Sequence, residues 1–183
     1  VYRDGMTADK EYVEWLSDVK TRFRQCQIKA SIRVNTTMLE FYWSIGRDLV
    51  ALRAEERWGA GVVKQFALDM RQAFPDANGF SLSNIKYMKQ WYLFYFDGFT
   101  KSQQVVGQLE LTEKSQQVVG QLEIPEVLGQ VPWGHHIQII SKCKSINEAF
   151  FYINKITTEG WSRALLEHQL ASNLYEIQGS AIT

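Results

Sequence analysis

The stretch that decides the fold is residues 9–56, DKEYVEWLSDVKTRFRQCQIKASIRVNTTMLEFYWSIGRDLVALRAEE. It contains no proline, and Gly46 is its only glycine. Apolar residues recur every three or four positions, at Tyr12, Leu16, Val19, Phe23, Cys26 and Ala30, and then at Val34, Met38, Phe41, Ile45, Leu49 and Leu52. This spacing places them along one side of an α-helix and predicts a very long helix over about residues 9–56.

The apolar stripe shifts around the helix in the middle of this stretch. Three successive steps of four connect Cys26 to Met38, and the weak helix formers Asn35, Thr36 and Thr37 lie in the same place. We therefore expect either one helix with a bend or two helices end to end. A helix of this length exceeds what a small globule needs, which predicts a partner helix from elsewhere in the chain or from a second copy.

Two shorter helices are predicted next, one over about residues 62–74 and one that runs to about residue 96, where Asp97-Gly98 is expected to end it. Between them, residues 75–79, PDANG, are a strong turn signal. Either Ser81 or Ser83 is expected to cap the second helix. The outline over residues 62–96 predicts a helix-turn-helix, in which the second helix enters the major groove of DNA.

The start of that second helix is rich in polar side chains that suit phosphate oxygens and base edges. The candidate nucleic-acid-binding residues are Ser81, Ser83, Asn84, Lys86, Tyr87, Lys89 and Gln90. The turn is longer than the usual three or four residues, and the helix carries only two lysines. A plain helical hairpin with a solvated polar face is therefore the competing interpretation.

The first helix offers a second basic surface, on which cations outnumber Asp18; they are Lys20, Arg22, Arg24, Lys29 and Arg33. They fall on more than one face of the helix around the apolar seam, so a solvated flank of a coiled coil explains them as well as DNA does. The aromatic run WYLFYF at residues 91–96 is predicted to be core rather than a base-stacking platform.

The central segment, residues 101–131, contains a perfect duplication: KSQQVVGQLE occurs at residues 101–110 and again at 114–123. Two copies are too few for a solenoid and indicate a local duplication in a tolerant segment. Residues 105–124 are predicted either to pair as a small β-hairpin or to form an irregular loop. A hairpin would make the module winged-helix-like, with Lys101 and Lys114 able to touch backbone phosphates.

Three helices are predicted over residues 132–178. Pro132 starts the first, Ser145 and Glu148 have the spacing of a capping box for the second, and Ser162 is expected to cap the third. The helical domain therefore spans residues 1–179, and residues 180–183 are interpreted as the start of a linker or tail.

Composition narrows the classes of protein. The 20 Lys and Arg residues balance the 20 Asp and Glu residues, which argues against a histone-like or polybasic binder but allows a local basic face. No apolar run has the length of a membrane span, no signal peptide is recognisable, and two lone cysteines make no disulfide framework. We expect a soluble, cytoplasmic, all-α protein with no membrane partner.

No catalytic or metal site is apparent in the sequence. The three histidines, His135, His136 and His168, never fall into a metal-ligand spacing with each other or with the cysteines. The adjacent pair is predicted to serve packing or capping. Nucleotide-binding glycine loops and serine-nucleophile motifs are missing as well, so we expect no cofactor, no metal and no catalytic residue in this chain.

Many spaced motifs nevertheless resemble one known family. In order they are Val34-Asn35, residues 41–47 (FYWSIGR), Trp58-Gly59, Phe74-Pro75, residues 79–81 (GFS) with Asn84 and Met88, residues 132–135 (PWGH), Phe151-Tyr152, residues 160–163 (GWSR) and Leu174-Tyr175. Together they resemble the N-terminal domain of the YhcG family, also called DUF1016. The resemblance covers nearly the whole chain, and the duplicated segment departs from the family pattern.

The resemblance implies a functional context. In that family the domain precedes a nuclease domain of the PD-(D/E)XK type, which is absent from these 183 residues. The expected function is therefore non-catalytic DNA recognition and assembly for a bacterial nuclease, with DNA and the C-terminal nuclease domain as partners. The alternative is a helical dimerisation or protein-interaction module that binds no nucleic acid, with a homodimer formed through the long first helix.

Overall fold

A computed structural model describes residues 10–106 and 124–179 of the chain. These residues form α1 (Lys10–Ala51), α2 (Ala54–Trp58), α3 (Val62–Ala73), α4 (Leu82–Val106), α5 (Glu126–Gly129), α6 (Trp133–Lys142), α7 (Ile146–Glu159), α8 (Arg163–Ala171) and a closing π-helical turn (Tyr175–Gly179). No strand occurs in the described ranges, and the all-α prediction is confirmed. The hairpin predicted for residues 105–124 lies, apart from its ends, outside the described residues.

Helices α1 and α4 cross at the centre of the core, where aromatic side chains interlock. Trp43 on α1 packs edge-on against Trp91 and Tyr92 on α4, with ring centroids 5.1 Å apart in both pairs. Gly46 lies at the closest approach, because a Cβ there would be 2.9 Å from the Tyr92 Cβ and would meet the Met88 carbonyl. The single glycine of the long helix is therefore the contact point that lets α4 approach it.

Helix α1 is continuous through Asn35 and Thr36, so the alternative of two helices meeting end to end there is wrong. Both side chains reach α5: the Asn35 Nδ2 donates to the carbonyls of Gly129 (3.0 Å) and Val131 (3.3 Å), and the Thr36 hydroxyl donates to the Gly129 carbonyl at 2.9 Å. These two weak helix formers therefore connect α1 to α5 and to the residues that follow it. The long helix breaks instead beyond Ala51, where Arg53 adopts left-handed backbone angles (φ 48°) before α2.

The prediction that Asp97-Gly98 ends α4 is wrong, since the helix continues to Val106. Gly98 packs against the start of α7, and a Cβ at this position would lie 2.7 Å from the Ile146 Cδ1. The glycine thus serves close helix packing rather than helix termination.

Helices α7 and α8 begin at the positions that their capping residues predicted. Ser145 accepts a hydrogen bond from the Glu148 backbone N–H at 3.2 Å, and the Glu148 carboxylate accepts one from the Lys144 backbone N–H at 2.9 Å, which confirms the capping box. Ser162 caps α8 by accepting from the Leu165 N–H. No helix in the described ranges combines the length and apolar character that crossing a membrane requires.

Candidate nucleic-acid and assembly surfaces

The predicted helix-turn-helix corresponds to α3, residues 74–81 and α4. The connection is longer than in a standard helix-turn-helix, whose turn has three or four residues. Ser81 caps α4, because its hydroxyl accepts the Asn84 backbone N–H at 3.2 Å. The Ser83 hydroxyl lies 3.3 Å from the Ser81 hydroxyl and is exposed. Ser81 therefore already has a structural role at the start of the proposed recognition helix.

Asn84 holds the fold together at this point. Its Nδ2 donates to the Gly79 carbonyl at 2.7 Å, and its Oδ1 accepts the Trp133 indole N–H at 2.7 Å. Burial raises the pKa of the neighbouring Tyr42 phenol, an effect that a hydrogen bond with Asn84 partly opposes. Both ends of the amide are thus engaged within the protein, which leaves it unavailable to read a base edge in this conformation.

Tyr87 and Lys89 are also engaged by the fold. Tyr87 is half-buried and packs against the core. The Lys89 Nζ lies 3.0 Å from the Glu55 Oε1 on α2, and the lysine side chain retains 30% exposure. The Glu55 carboxylate therefore compensates one of the two lysines on which a DNA-binding α4 would depend.

The other predicted residues of α4 remain accessible. Ser83, Lys86 and Gln90 are exposed and are spaced by three and four residues, so they share one face of the helix. Lys86 makes no ion pair with any residue that the structure describes. Lys101 lies fifteen residues beyond Lys86 on α4 and, together with Asp97 and Lys144, lines a groove of about 370 Å³ whose walls also include Phe94 and Ile146. The structure thus divides the seven candidates into two sets. Ser83, Lys86 and Gln90 form an exposed polar face of α4, whereas Ser81, Asn84, Tyr87 and Lys89 make contacts within the fold.

The most conspicuous accessible surface belongs to α1. Every residue from 20 to 34 is exposed, whereas the Asn35 side chain donates to the carbonyls of Gly129 and Val131. We call residues 10–34 of α1 the arm; at 1.5 Å per residue it is about 37 Å long. Apolar side chains along it are open to solvent, with Phe23 61% and Val34 66% exposed.

The arm is also rich in exposed cations. All five cations predicted here are exposed, and Asp18 pairs with one of them, Arg22, at 2.9 Å in a contact between exposed groups. An exposed pair of this kind is worth less than about 1 kcal/mol and leaves the arm basic. The five cations are Lys20, Arg22, Arg24, Lys29 and Arg33.

The adjacent histidines serve packing, as predicted. The His135 Nε2 lies 2.9 Å from the Trp161 carbonyl, and the His136 Nε2 lies 2.8 Å from the Leu128 carbonyl. Burial lowers the pKa of His136 from 6.5 to about 4, so the ring is neutral and donates from Nε2 at neutral pH. Within residues 10–106 and 124–179, no group of three His, Cys, Asp or Glu side chains has the arrangement to hold a metal ion.

The fold and these surfaces define an all-α module with an exposed helical arm. A family model, the DUF1016 N-terminal domain, matches residues 18–177. The chain belongs to this family, as the motifs of its sequence indicated. Neither a curated protein nor a solved structure matches it.

Proposed function

We propose that this chain is a non-catalytic module that assembles through the arm and recognises DNA for a nuclease domain. The exposed apolar side chains of the arm, with Phe23 and Val34 more than half exposed, are the observation that carries the proposal. Each square ångström of apolar surface left in water forgoes about 25 cal/mol of burial free energy. Contiguous apolar surface of this kind is typical of interaction sites rather than of a monomer's solvated face.

DNA recognition is supported by the distribution of cations. The arm presents six exposed Lys and Arg side chains, of which Lys10 and Arg22 pair with Glu14 and Asp18. The exposed face of α4 adds Lys86 and Lys101. Lysine and arginine contacts to phosphates supply most non-specific affinity for nucleic acid. Gln90 and Ser83 on the same face of α4 offer polar groups for base edges or phosphates.

Assembly without nucleic acid is the second candidate. Two observations favour it: the amide of Asn84 is occupied by Gly79 and Trp133, and Lys89 is compensated by Glu55. The charges of the whole chain also balance. Under this alternative, the basic arm interacts with a protein partner, and the proposed function reduces to bringing copies together.

The nuclease context comes from the family resemblance. A PD-(D/E)XK domain in the full-length protein is the proposed catalytic partner, and a two-fold assembly would present two active sites to two strands. The proposed setting is the bacterial cytoplasm, where such a nuclease meets DNA.

Fluorescence anisotropy tests DNA recognition with labelled duplex, single-stranded and branched DNA across a salt series. Lys86→Glu is expected to weaken binding and to reduce the dependence of log affinity on log salt by about one unit, because one phosphate contact is lost. Lys142→Glu, the same charge change at the end of α6, is the matched control. A folded protein that binds none of these DNAs at low salt would exclude DNA recognition.

Solution mass tests assembly separately. Sedimentation equilibrium of the same samples is expected to show a mass that rises with protein concentration. A monomer at every concentration would exclude assembly through the arm, whatever the DNA measurement shows.

A further inference from the structure

We infer that the arm pairs with the arm of a second copy in parallel and in register, an inference that rests on the proposed assembly function. The partner chemistry follows from the sequence of the arm itself. Steps of four and three alternate from Tyr12 to Ala30, which is the heptad spacing of a two-stranded coiled coil. Such a stripe is complementary to another copy of itself.

The stripe does not end where the folded body begins. Met38 and Phe41 continue it along α1 and are 46% and 44% exposed, although they lie beside completely buried residues such as Leu39. Over residues 34–41 the buried side of α1 and the stripe therefore lie on different faces of the helix, and the stripe joins the core only at Ile45, which is 8% exposed. From Tyr12 to Phe41 the stripe is about 44 Å long.

The parallel arrangement covers this whole length with described residues of the second copy. In parallel register each stripe residue lies opposite its own copy, so Met38 and Phe41 are covered along with the arm. An antiparallel arrangement can also place stripe residues opposite one another. It sets Val19 of one copy against Phe23 of the other, and Tyr12 against Ala30. In that arrangement Val34 and the rest of the stripe lie opposite positions before residue 10, which are outside the described residues.

The charges that flank the stripe favour the same choice. In a parallel coiled coil, the residue just before certain core positions faces the partner residue five positions later in the sequence. Arg22 precedes the core residue Phe23, so it faces Gln27 of the second copy. In an antiparallel coiled coil, a residue that flanks the core faces the same kind of flanking position in the partner. Lys20 would therefore face Lys20 of the second copy, and Arg22 would face Arg22. Like charges in direct opposition are destabilising.

The native cysteines provide the test. Cys26 lies in the stripe and is exposed, whereas Cys143 is buried in the body. Parallel register brings the two Cys26 side chains together across the dimer axis. The antiparallel arrangement sets Cys26 against Leu16 and separates the two cysteines by about ten residues, or about 15 Å along the helix, which a disulfide cannot span.

The experiment is oxidation of the full chain with diamide at a concentration where sedimentation shows the dimer. We expect a disulfide-linked dimer on non-reducing gels, identified by mass spectrometry as a Cys26–Cys26 peptide and abolished in Cys26→Ser. A dimer in solution that gives no Cys26–Cys26 product would overturn the parallel register, while the assembly function would stand. A chain that stays monomeric would overturn both.

A pair of variants links the dimer to the stripe. Phe23→Glu is expected to raise the dimer dissociation constant by about 100-fold, because each dimer would bury two unpaired carboxylates in place of two rings. Gln25→Glu adds the same charge on the opposite side of the helix and should change it less than about threefold. Equal effects of the two variants would overturn pairing through the stripe. Both positions are exposed, so circular dichroism should show the body unchanged.

Discussion

Replacement of Asn84 by alanine should destabilise the fold, even though the residue lies at the start of the proposed recognition helix. The change removes two hydrogen bonds of 2.7 Å and leaves the Trp133 indole N–H and the Gly79 carbonyl without their partners. A part-buried partner left unpaired costs about 1–1.5 kcal/mol at the low end of the usual range. Alanine recovers about 0.5 kcal/mol through its higher helix propensity. We expect a net loss of about 1.5–2.5 kcal/mol.

Urea denaturation followed by tryptophan fluorescence and circular dichroism measures this loss. Asn84→Asp isolates the bond to Gly79, since a carboxylate still accepts from the Trp133 indole but donates nothing to the carbonyl. Gln90→Ala, an exposed change on the same helix, should stay within about 0.5 kcal/mol of wild type. An Asn84→Ala protein with unchanged stability and strongly reduced DNA affinity would refute the reasoning, because Asn84 would then act on DNA rather than in the fold.

Two further perturbations test the core. Gly46→Ala should cost about 1–3 kcal/mol in urea denaturation, because the new Cβ would collide with the Met88 carbonyl, whereas Gly61→Ala enters open space and should change stability by less than about 0.5 kcal/mol; equal costs would contradict the close crossing of α1 and α4. His136 binds its proton only near pH 4 in the folded protein but near pH 6.5 when unfolded, so stability should fall by up to about 1.4 kcal/mol per unit as the pH drops through that window. His136→Gln should flatten this part of the stability profile, and a variant profile identical to that of the wild type would show that His136 is not buried in its neutral form.

The helices themselves were predictable because their signals are local. Apolar spacing located α1, α3 and α7, and the serines at 81, 145 and 162 located helix starts through hydrogen bonds that span three residues. Helix ends were harder to predict, as Gly98 illustrates. A glycine signals termination when considered alone, but here the packing of Ile146, 48 residues away, determines its role.

The candidate site was only partly predictable for the same reason. The polar residues at the start of α4 were equally good binding candidates in the sequence. Their contacts in the folded protein determine which of them remain available. Asn84 meets Trp133 and Lys89 meets Glu55 through contacts that span 49 and 34 residues. No local pattern encodes such pairs. The exposed arm, by contrast, was predictable, because the regular apolar stripe is longer than the stretch of helix that a small core can cover.

The continuity of α1 from arm to core has a consequence for how the arm acquires its structure. The first turn of a helix is costly to form, whereas each further residue adds to an existing turn at little cost. Residues beyond Asn35 are fixed by the core, so they act as a preformed nucleus from which the arm extends backwards towards the amino terminus. A peptide of the arm alone lacks that nucleus and should be mostly unstructured in water. The folded body thus makes the arm helical before any partner arrives, which lowers the conformational entropy lost on association.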